Sequence, residues 1–278
     1  MEIVYNNVYF KYNNSNKEIL NNINLKLKDN SINFIVGPNG SGKTTLIQML
    51  NGILVPIKGY ISIDEYKVCK KNKDYKKLRF DVGVVFQFPE NQIFNLTVEE
   101  EIGFALNYYN YRLDDKEKHI MDALKMVDLD ETYLKRNPLS LSSGEMRKVA
   151  IASILAFNPK VIVLDEPTLG LDSKSKNSLI KIIRILKNRF HKTIVIVSHD
   201  MELVHKLGDY IYVLDNGKVI KEGNKYDIFT DDDFLKREHI SMPNVIKFSK
   251  MVKSSKNIKL GYRDDINDLL KDIYRYAR

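Results

Sequence analysis

Apolar and polar positions change period several times along this chain, and each change predicts an element. Residues 2–36 read as strands: "IVYNNVYFKY", "INLKL" and "INFIV" are rich in β-branched and aromatic residues, with Asn, Asp and Ser clusters between them. "KTTLIQMLNG" reads as a helix ended by Gly52. A further strand pair is expected around Gly59, at "YISI", and the lysine-dense "YKVCKKNKDYKKLR" is expected to form a solvated loop or short helix. Between residues 97 and 156 the spacing turns helical, in "VEEEIGFALNYY", "KEKHIMDALKMVDL" and "GEMRKVAIASILAF". "KVIVLDE" is an apolar run without alternation, as a strand buried on both faces requires. A helix over 174–189, the strand "KTIVIVS" and a short helix from Met201 continue as α/β units, and "YIYVLDNGKVIKEG" is a hairpin turning at Asn216-Gly217. Beyond about residue 235 the pattern becomes basic and weakly helical.

Composition bounds the picture further. The chain has 278 residues, 44% hydrophobic and 29% charged, enough for a globular core in one large domain with an appendage or in two domains. A formal charge of +8 favours anionic partners, namely nucleotide, nucleic acid or an anionic membrane surface, unless it is only a lysine-rich bias. A single cysteine, Cys69, excludes an intramolecular disulfide and points to a reducing compartment. "MEIVYNNVYF" lacks the basic-then-apolar order of a signal peptide, and no window reaches the ~18 apolar residues of a membrane span. Work at a membrane would have to go through a partner.

The chemistry begins at "GPNGSGKTT": Gly37, Pro38, Asn39, Gly40, Ser41, Gly42, Lys43, Thr44 and Thr45. This fits G-x-x-x-x-G-K-[ST] with a strand before it and a helix after. Glycines let successive N–H groups turn inward around phosphate oxygens, and the helix start adds partial positive charge. Lys43 is placed to reach the β- and γ-phosphates and Thr44 to offer a hydroxyl to Mg²⁺. "VIVLDEP" supplies a second half: Asp165 as a holder of the Mg²⁺ shell and Glu166 as candidate base for the attacking water.

The order of motifs then narrows the class: phosphate loop, Gln87, "LSLSSGE", "VLDEP", "LGLD", "SHD". That order resembles the ATP-binding-cassette (ABC) ATPases over about residues 2–235. The resemblance implies a P-loop NTPase fold of the α/β class: a RecA-like core, an antiparallel β subdomain, a helical subdomain at about 88–157, and a small, mostly helical extension over 236–278. It implies ATP and Mg²⁺ as ligands. Residues 141–145 resemble the signature, usually Leu-Ser-Gly-Gly-Gln, which in the family contacts ATP held by the opposite cassette. Ser142 and Gly144 match it; Ser143 and Glu145 depart from it. The same resemblance makes His199 the switch histidine reading the γ-phosphate. Asp172 becomes the residue communicating across the dimer, and Tyr12 the aromatic stacking on adenine, with Tyr9 and Phe10 as rivals. Gln87 becomes the link between Mg²⁺, water and the helical subdomain.

"VVFQFPENQIF" adds a narrower likeness. It resembles the Phe-Gln-x-Pro-(Asp/Glu)-x-Gln-(Leu/Ile) segment of energy-coupling-factor (ECF) transporter ATPases, in its Phe-Gln-Phe-Pro-Glu form. That segment forms a short extra helix receiving coupling helices of a transmembrane subunit. Pro89 suits a first turn and Glu90 the positive helix end; Phe88, Ile93 and Phe94 offer apolar contact, and Gln92 hydrogen bonds. The resemblance implies peripheral attachment at the cytoplasmic face of the membrane, a second and related cassette, the transmembrane subunit at residues 88–94, and a substrate-binding membrane subunit reached indirectly. The cargo would be a vitamin or a transition-metal ion, and no nucleic acid is expected. Another ABC transporter type, a soluble ABC protein acting on nucleic acid or the ribosome, and a P-loop kinase are the rival readings.

Overall fold

A computed structural model describes all residues except 14–16, 73, 110–112, 257–260, 265, 277 and 278. Two sheets organise it. The first is antiparallel, in the order β2 (Leu20–Leu27), β1 (Ile3–Phe10), β4 (Lys58–Ile63), β5 (Tyr66–Val68). The second has six strands. In order they are β10 (Lys218–Asn224), β9 (Tyr210–Asp215), β3 (Ile32–Val36), β8 (Thr193–Val197), β7 (Val161–Asp165) and β6 (Val82–Val85). Five of them run parallel and β10 closes the edge antiparallel.

The apolar runs of the second sheet divide residue by residue between its faces. Phe34, Ile162, Leu164, Ile194, Ile196 and Ile211 join the core on the helical side. Ile35, Val161, Val163, Val195, Val197 and Tyr212 join the core on the other side, with β1, β2, β4 and α1 (Lys43–Gln48). The period of two is therefore present inside sequences that show no alternation, because both faces are dry. The helical side is covered by α3 (Val98–Tyr108), α4 (Leu113–Met126), α5 (Ser143–Leu155) and α6 (Ser173–Asn188). Thr97 and Ser142 begin α3 and α5 with capping boxes, each closed by the glutamate three residues on.

Three local expectations are refined. The strand pair β4–β5 turns at Asp64 (φ 44°) and not at Gly59, which sits inside β4 where β1 approaches too closely for a side chain. The lysine-dense stretch splits into β5, a turn and α2 (Lys76–Asp81), whose Leu78 and Asp81 are buried. The helix after the phosphate loop ends at Gln48 and continues as turns to Gly52 (φ 70°). Beyond α7 (Met201–Leu207) and the hairpin come α8 (Lys225–Phe229), α9 (Asp232–Arg237), α10 (Asn244–Lys256) and α11 (Ile266–Tyr276). The linker expected before α11 falls partly outside the described residues. Ile240, Met242, Ile246 and Tyr262 pack on the helical-side core, so the tail is seated against the cassette. Among the described residues no helix is long and apolar enough to cross a membrane.

Candidate nucleotide site

β3 ends at Val36 and the chain enters α1 through a loop whose first position requires glycine. Gly37 has φ 146°, and a Cβ there would stand 1.9 Å from the carbonyl oxygen of Leu214. Lys43 is buried, and its ammonium donates to the carbonyls of Gly37 (2.9 Å) and Pro38 (2.8 Å). Burial pushes its pKa down, against the opposing pull of Glu166 and Asp165. Ser41 Oγ is buried with no hydrogen-bond partner.

The end of β7 faces this loop. Thr44 Oγ1 donates to Asp165 Oδ2 at 3.0 Å. Asp165 is buried, and its pKa is raised by desolvation despite the hydrogen bond from Thr44. Glu166 takes a left-handed backbone (φ 45°), which turns its carboxylate from the strand end toward β8. His199 Nδ1 lies 2.9 Å from Glu166 Oε1, and the His199 N–H donates to Oε2 at 3.4 Å. Two oxygen donors side by side, Thr44 Oγ1 and Asp165 Oδ2, form a set that suits a hard cation such as Mg²⁺.

Lys43, Asp165, Glu166 and His199 line one cleft of about 1060 Å³, and the buried Ser41 lies outside its lining. Tyr12 and Gln87 line it too, as do Gly37, Pro38, Asn39, Gly40, Gly42, Thr44 and Thr45. Tyr12 is 44% exposed, its hydroxyl within 3.1 Å of Thr45 Oγ1 and its ring edge-on to Phe10. Phe10 is core, and Tyr9 lies under the Lys58 ammonium. The cleft has a wall that the motifs did not reveal. Residues 237–241, at the end of α9 and after it, line it as well, and no pattern in their sequence marks them.

The signature residues lie elsewhere. Ser142, Gly144, Glu145 and Asp172 line a second cleft that shares no lining residue with the first. Ser142 is the N-cap of α5: its Oγ accepts from the Glu145 N–H (3.3 Å), and Glu145 Oε2 accepts from the Ser142 N–H (2.9 Å) and hydroxyl (2.6 Å). Glu145 Oε1 takes the Tyr133 hydroxyl at 2.7 Å. The Ser142 hydroxyl above all, then Tyr133 and the Ser142 N–H, hold the Glu145 carboxyl down at about 2. The glutamate is thus explained: either Glu or Gln can close this box. Gly144 faces Ser175 closely: a Cβ would stand 2.5 Å from Ser175 Oγ, so a side chain there would have to displace that hydroxyl. Ser143 opens α5 and is exposed; nothing in the structure accounts for its replacing glycine. Asp172 caps α6 by accepting from the Ser175 N–H at 2.7 Å, which lowers its pKa.

The segment after Gln87 turns at Phe88 (φ 52°) into a 3-10 turn over Pro89–Gln92, with Pro89 at its start. Glu90 does not simply face the turn's dipole. It pairs with Arg147 of α5, a residue that sequence reasoning passed over although it sits on the apolar face of that helix. Phe94 is 64% exposed and packs edge-on against Phe104; Gln92 is exposed and Ile93 lies against the core.

Comparison with known proteins agrees with this geometry. A protein-family model described as ABC transporter matches residues 20–169. The energy-coupling factor transporter ATP-binding protein EcfA2 of Ligilactobacillus salivarius (strain UCC118) is 41% identical over 91% of this chain and 90% of its own length. The protein of the same name from Streptococcus agalactiae serotype Ia is 38% identical over 94% of each chain. Among solved structures, cbiO1 from Clostridium perfringens, part of the ABC transporter complex cbiONQ, superposes with a TM-score of 0.76 at 31% identity, covering 89% of this chain and 98% of that one. The ATP-binding cassette MJ0796, solved as a dimer bound to ADP and Pi, gives 0.69 at 32% identity over 80% of this chain and 98% of that one. With its phosphate loop, its strand-end carboxylates and these relatives, the chain belongs to the ABC transporter family and, within it, to the ATP-hydrolysing ATP-binding subunits of ECF-type importers.

Proposed function

We propose that this chain is one of two unlike cassettes that drive uptake of a vitamin or transition-metal ion through a separate transmembrane subunit, from the cytoplasmic face of the membrane. The observation that carries work in pairs is the separation of the clefts: the phosphate loop and the signature of one chain share no lining residue. That the partner is unlike rests on Ser143, Glu145 and the Phe-Gln-Phe-Pro-Glu form of residues 86–90. A second cassette is then needed to bring a signature to the phosphate loop at residues 37–45. The exposed N–H groups at the start of α5 are a fit for the partner's ATP. Asp172, at the same cleft, would carry the signal between the two.

In this reading Tyr12 stacks on adenine, and Lys43 exchanges the Gly37 and Pro38 carbonyls for β- and γ-phosphate oxygens. Thr44 and Asp165, with Gln87, would hold Mg²⁺, which when bound neutralises phosphate charge. Glu166 takes a proton from water as the water oxygen attacks the γ-phosphorus. The bond to the ADP oxygen then breaks and the γ-phosphate leaves, with His199 donating to its oxygens. Residues 88–94 dock the membrane subunit, and a substrate-binding subunit acts through it. Residues 236–278 form an extension that seats on the cassette, with 1–235 the nucleotide-binding unit and about 88–157 its helical part.

The test is co-expression with a second cassette and the membrane subunit, followed by size analysis and coupled ATPase assay. The chain alone is expected to be monomeric or weakly dimeric and slow. Phe94→Asp is expected to leave nucleotide binding intact and to abolish co-elution with the membrane subunit. A tight homodimer that assembles and works without a second, different cassette would overturn the reading of unlike cassettes, and normal assembly of Phe94→Asp would overturn the docking site.

A further inference from the structure

Arg147 is nearly fully buried, with its side chain only 4% exposed. A guanidinium is expensive to bury unless every N–H finds an acceptor. Here the acceptors come from two functional segments at once. Nη2 and Nε reach the Glu90 carboxylate (2.9 Å from Nη2 to Oε1, 3.3 Å from Nε to Oε2), and Nη1 donates to the carbonyls of Pro167 (2.9 Å) and Leu169 (2.8 Å). Glu90 lies in the segment after Gln87. Pro167 follows Glu166 directly and Leu169 two residues later, and Leu169 lines the phosphate cleft. Arg147 itself stands one turn into the helix that Ser142 caps, so it also lines the signature cleft.

We infer that Arg147 is a positioning residue that ties residues 88–94 to the loop after Glu166, so that a shift of one segment moves the other. This rests on the docking role proposed above for residues 88–94. The physics favours a rigid tie. A planar guanidinium with a bidentate carboxylate on one side and two carbonyls on the other has no rotational freedom left. A displaced Glu90 either drags the guanidinium off the carbonyls or leaves a buried charge unpaired. Membrane-subunit movement at the docking segment would thus be felt one and three residues from Glu166, at Pro167 and Leu169, and also at the helix that carries the signature. An ammonium could not span four acceptors lying in two directions, so lysine should not substitute.

The experiment compares ATP turnover of the co-expressed pair of cassettes with and without the membrane subunit in lipid nanodiscs. The readout is the ratio of the two rates, with ATP KM and co-elution recorded alongside. Arg147→Lys and Glu90→Gln are each expected to lower the ratio at least fivefold, with KM for ATP within twofold and co-elution retained. The double variant should be no worse than the more impaired single one, because the two residues act as one unit. A ratio unchanged in Arg147→Lys overturns the tie. So does a ratio that falls only in step with lost co-elution or a lowered thermal midpoint, since that marks a purely structural pair. Phe94→Asp separates the two proposals: if that variant still co-elutes and is still stimulated, the docking reading has failed and the tie with it. If Phe94→Asp loses co-elution while Arg147→Lys is stimulated normally, only the tie has failed.

Discussion

The phosphate loop and the signature edge are both helix starts, yet they are built in opposite ways. At α1 the cap is Gly42, with no side chain to close the helix end, and Lys43 is held by carbonyls of its own loop. Ser41 Oγ lacks a partner, Glu166 carries left-handed backbone, and burial has shifted both Lys43 and Asp165 toward their neutral forms. At α5 the capping side chains already satisfy one another: Ser142, Glu145 and Tyr133 close on each other. The first site is unfinished without a charged ligand. The second is finished as a surface and needs only to be brought to one. A left-handed Glu166 and an unpartnered Ser41 hydroxyl stand where chemistry takes place, while a face that acts in trans must stay stable before its partner arrives.

That contrast can be broken at several points. The largest expected effect belongs to Glu166→Gln, which keeps shape and removes the base. ATP binding should persist while turnover in a coupled assay falls by ~10²-fold or more. Retention of more than about a tenth of the rate would remove Glu166 from that role. Gly144→Val strikes the other half. The new side chain meets Ser175 and pushes α5 from α6, so turnover of the assembled pair should fall roughly tenfold to a hundredfold, as misplaced groups do. ATP affinity of the isolated chain should change by less than about threefold, because Gly144 and Ser175 line only the second cleft and no phosphate-loop residue meets them. A larger drop would mean that the displacement of α5 reaches the phosphate loop itself.

Tyr12→Ala sharpens the first site. Loss of stacking should weaken nucleotide binding by about 1–2 kcal/mol, read by titration calorimetry. Unchanged affinity would rule out Tyr12 as the stacking residue, and the core position of Phe10 leaves Tyr9 as the remaining rival.

The smallest effect is a pH dependence at the signature. The Glu145 carboxyl is depressed from 4.5 to about 2 in the folded chain. Its stabilising share is therefore complete above the unfolded value and is lost as pH falls toward the folded one. Glu145→Gln should differ from the parent most near neutral pH, and the difference in urea midpoint should shrink between about pH 4.5 and 2. A difference that stays constant across that window would mean the charge contributes nothing there.

How much of this was legible beforehand differs by element. The strands β3, β7 and β8 were readable because unbroken apolar runs leave few alternatives. The hairpin was readable at Asn216-Gly217, whose positive φ values (44° and 71°) are those its turn needs. The strand pair near Gly59 was readable in kind and not in register. The turn fell at Asp64-Glu65, where the local sequence has no strong glycine signal, and Gly59 was needed for close approach of β1 instead. Glu90 could be seen as helix-favouring, but its partner lies 57 residues away on another helix. No local rule connects the two.

The sequence by itself determined the phosphate loop, the strand-end carboxylates, the capped signature helix and the order that joins them. In each, the working groups are neighbours in the chain: successive N–H donors, a Ser and a Glu three residues apart, an Asp beside a Glu. Short-range stereochemistry fixes such groups whatever surrounds them. Only the tertiary structure decided that the signature lines a different cleft from the phosphate loop, that residues 237–241 wall the nucleotide cleft, and that Arg147 joins Glu90 to the loop after Glu166. Those facts depend on how α5 lies against the docking segment and how the tail returns to the sheet. Such orientations are set by the fit of whole apolar faces, and no spacing along the chain encodes them.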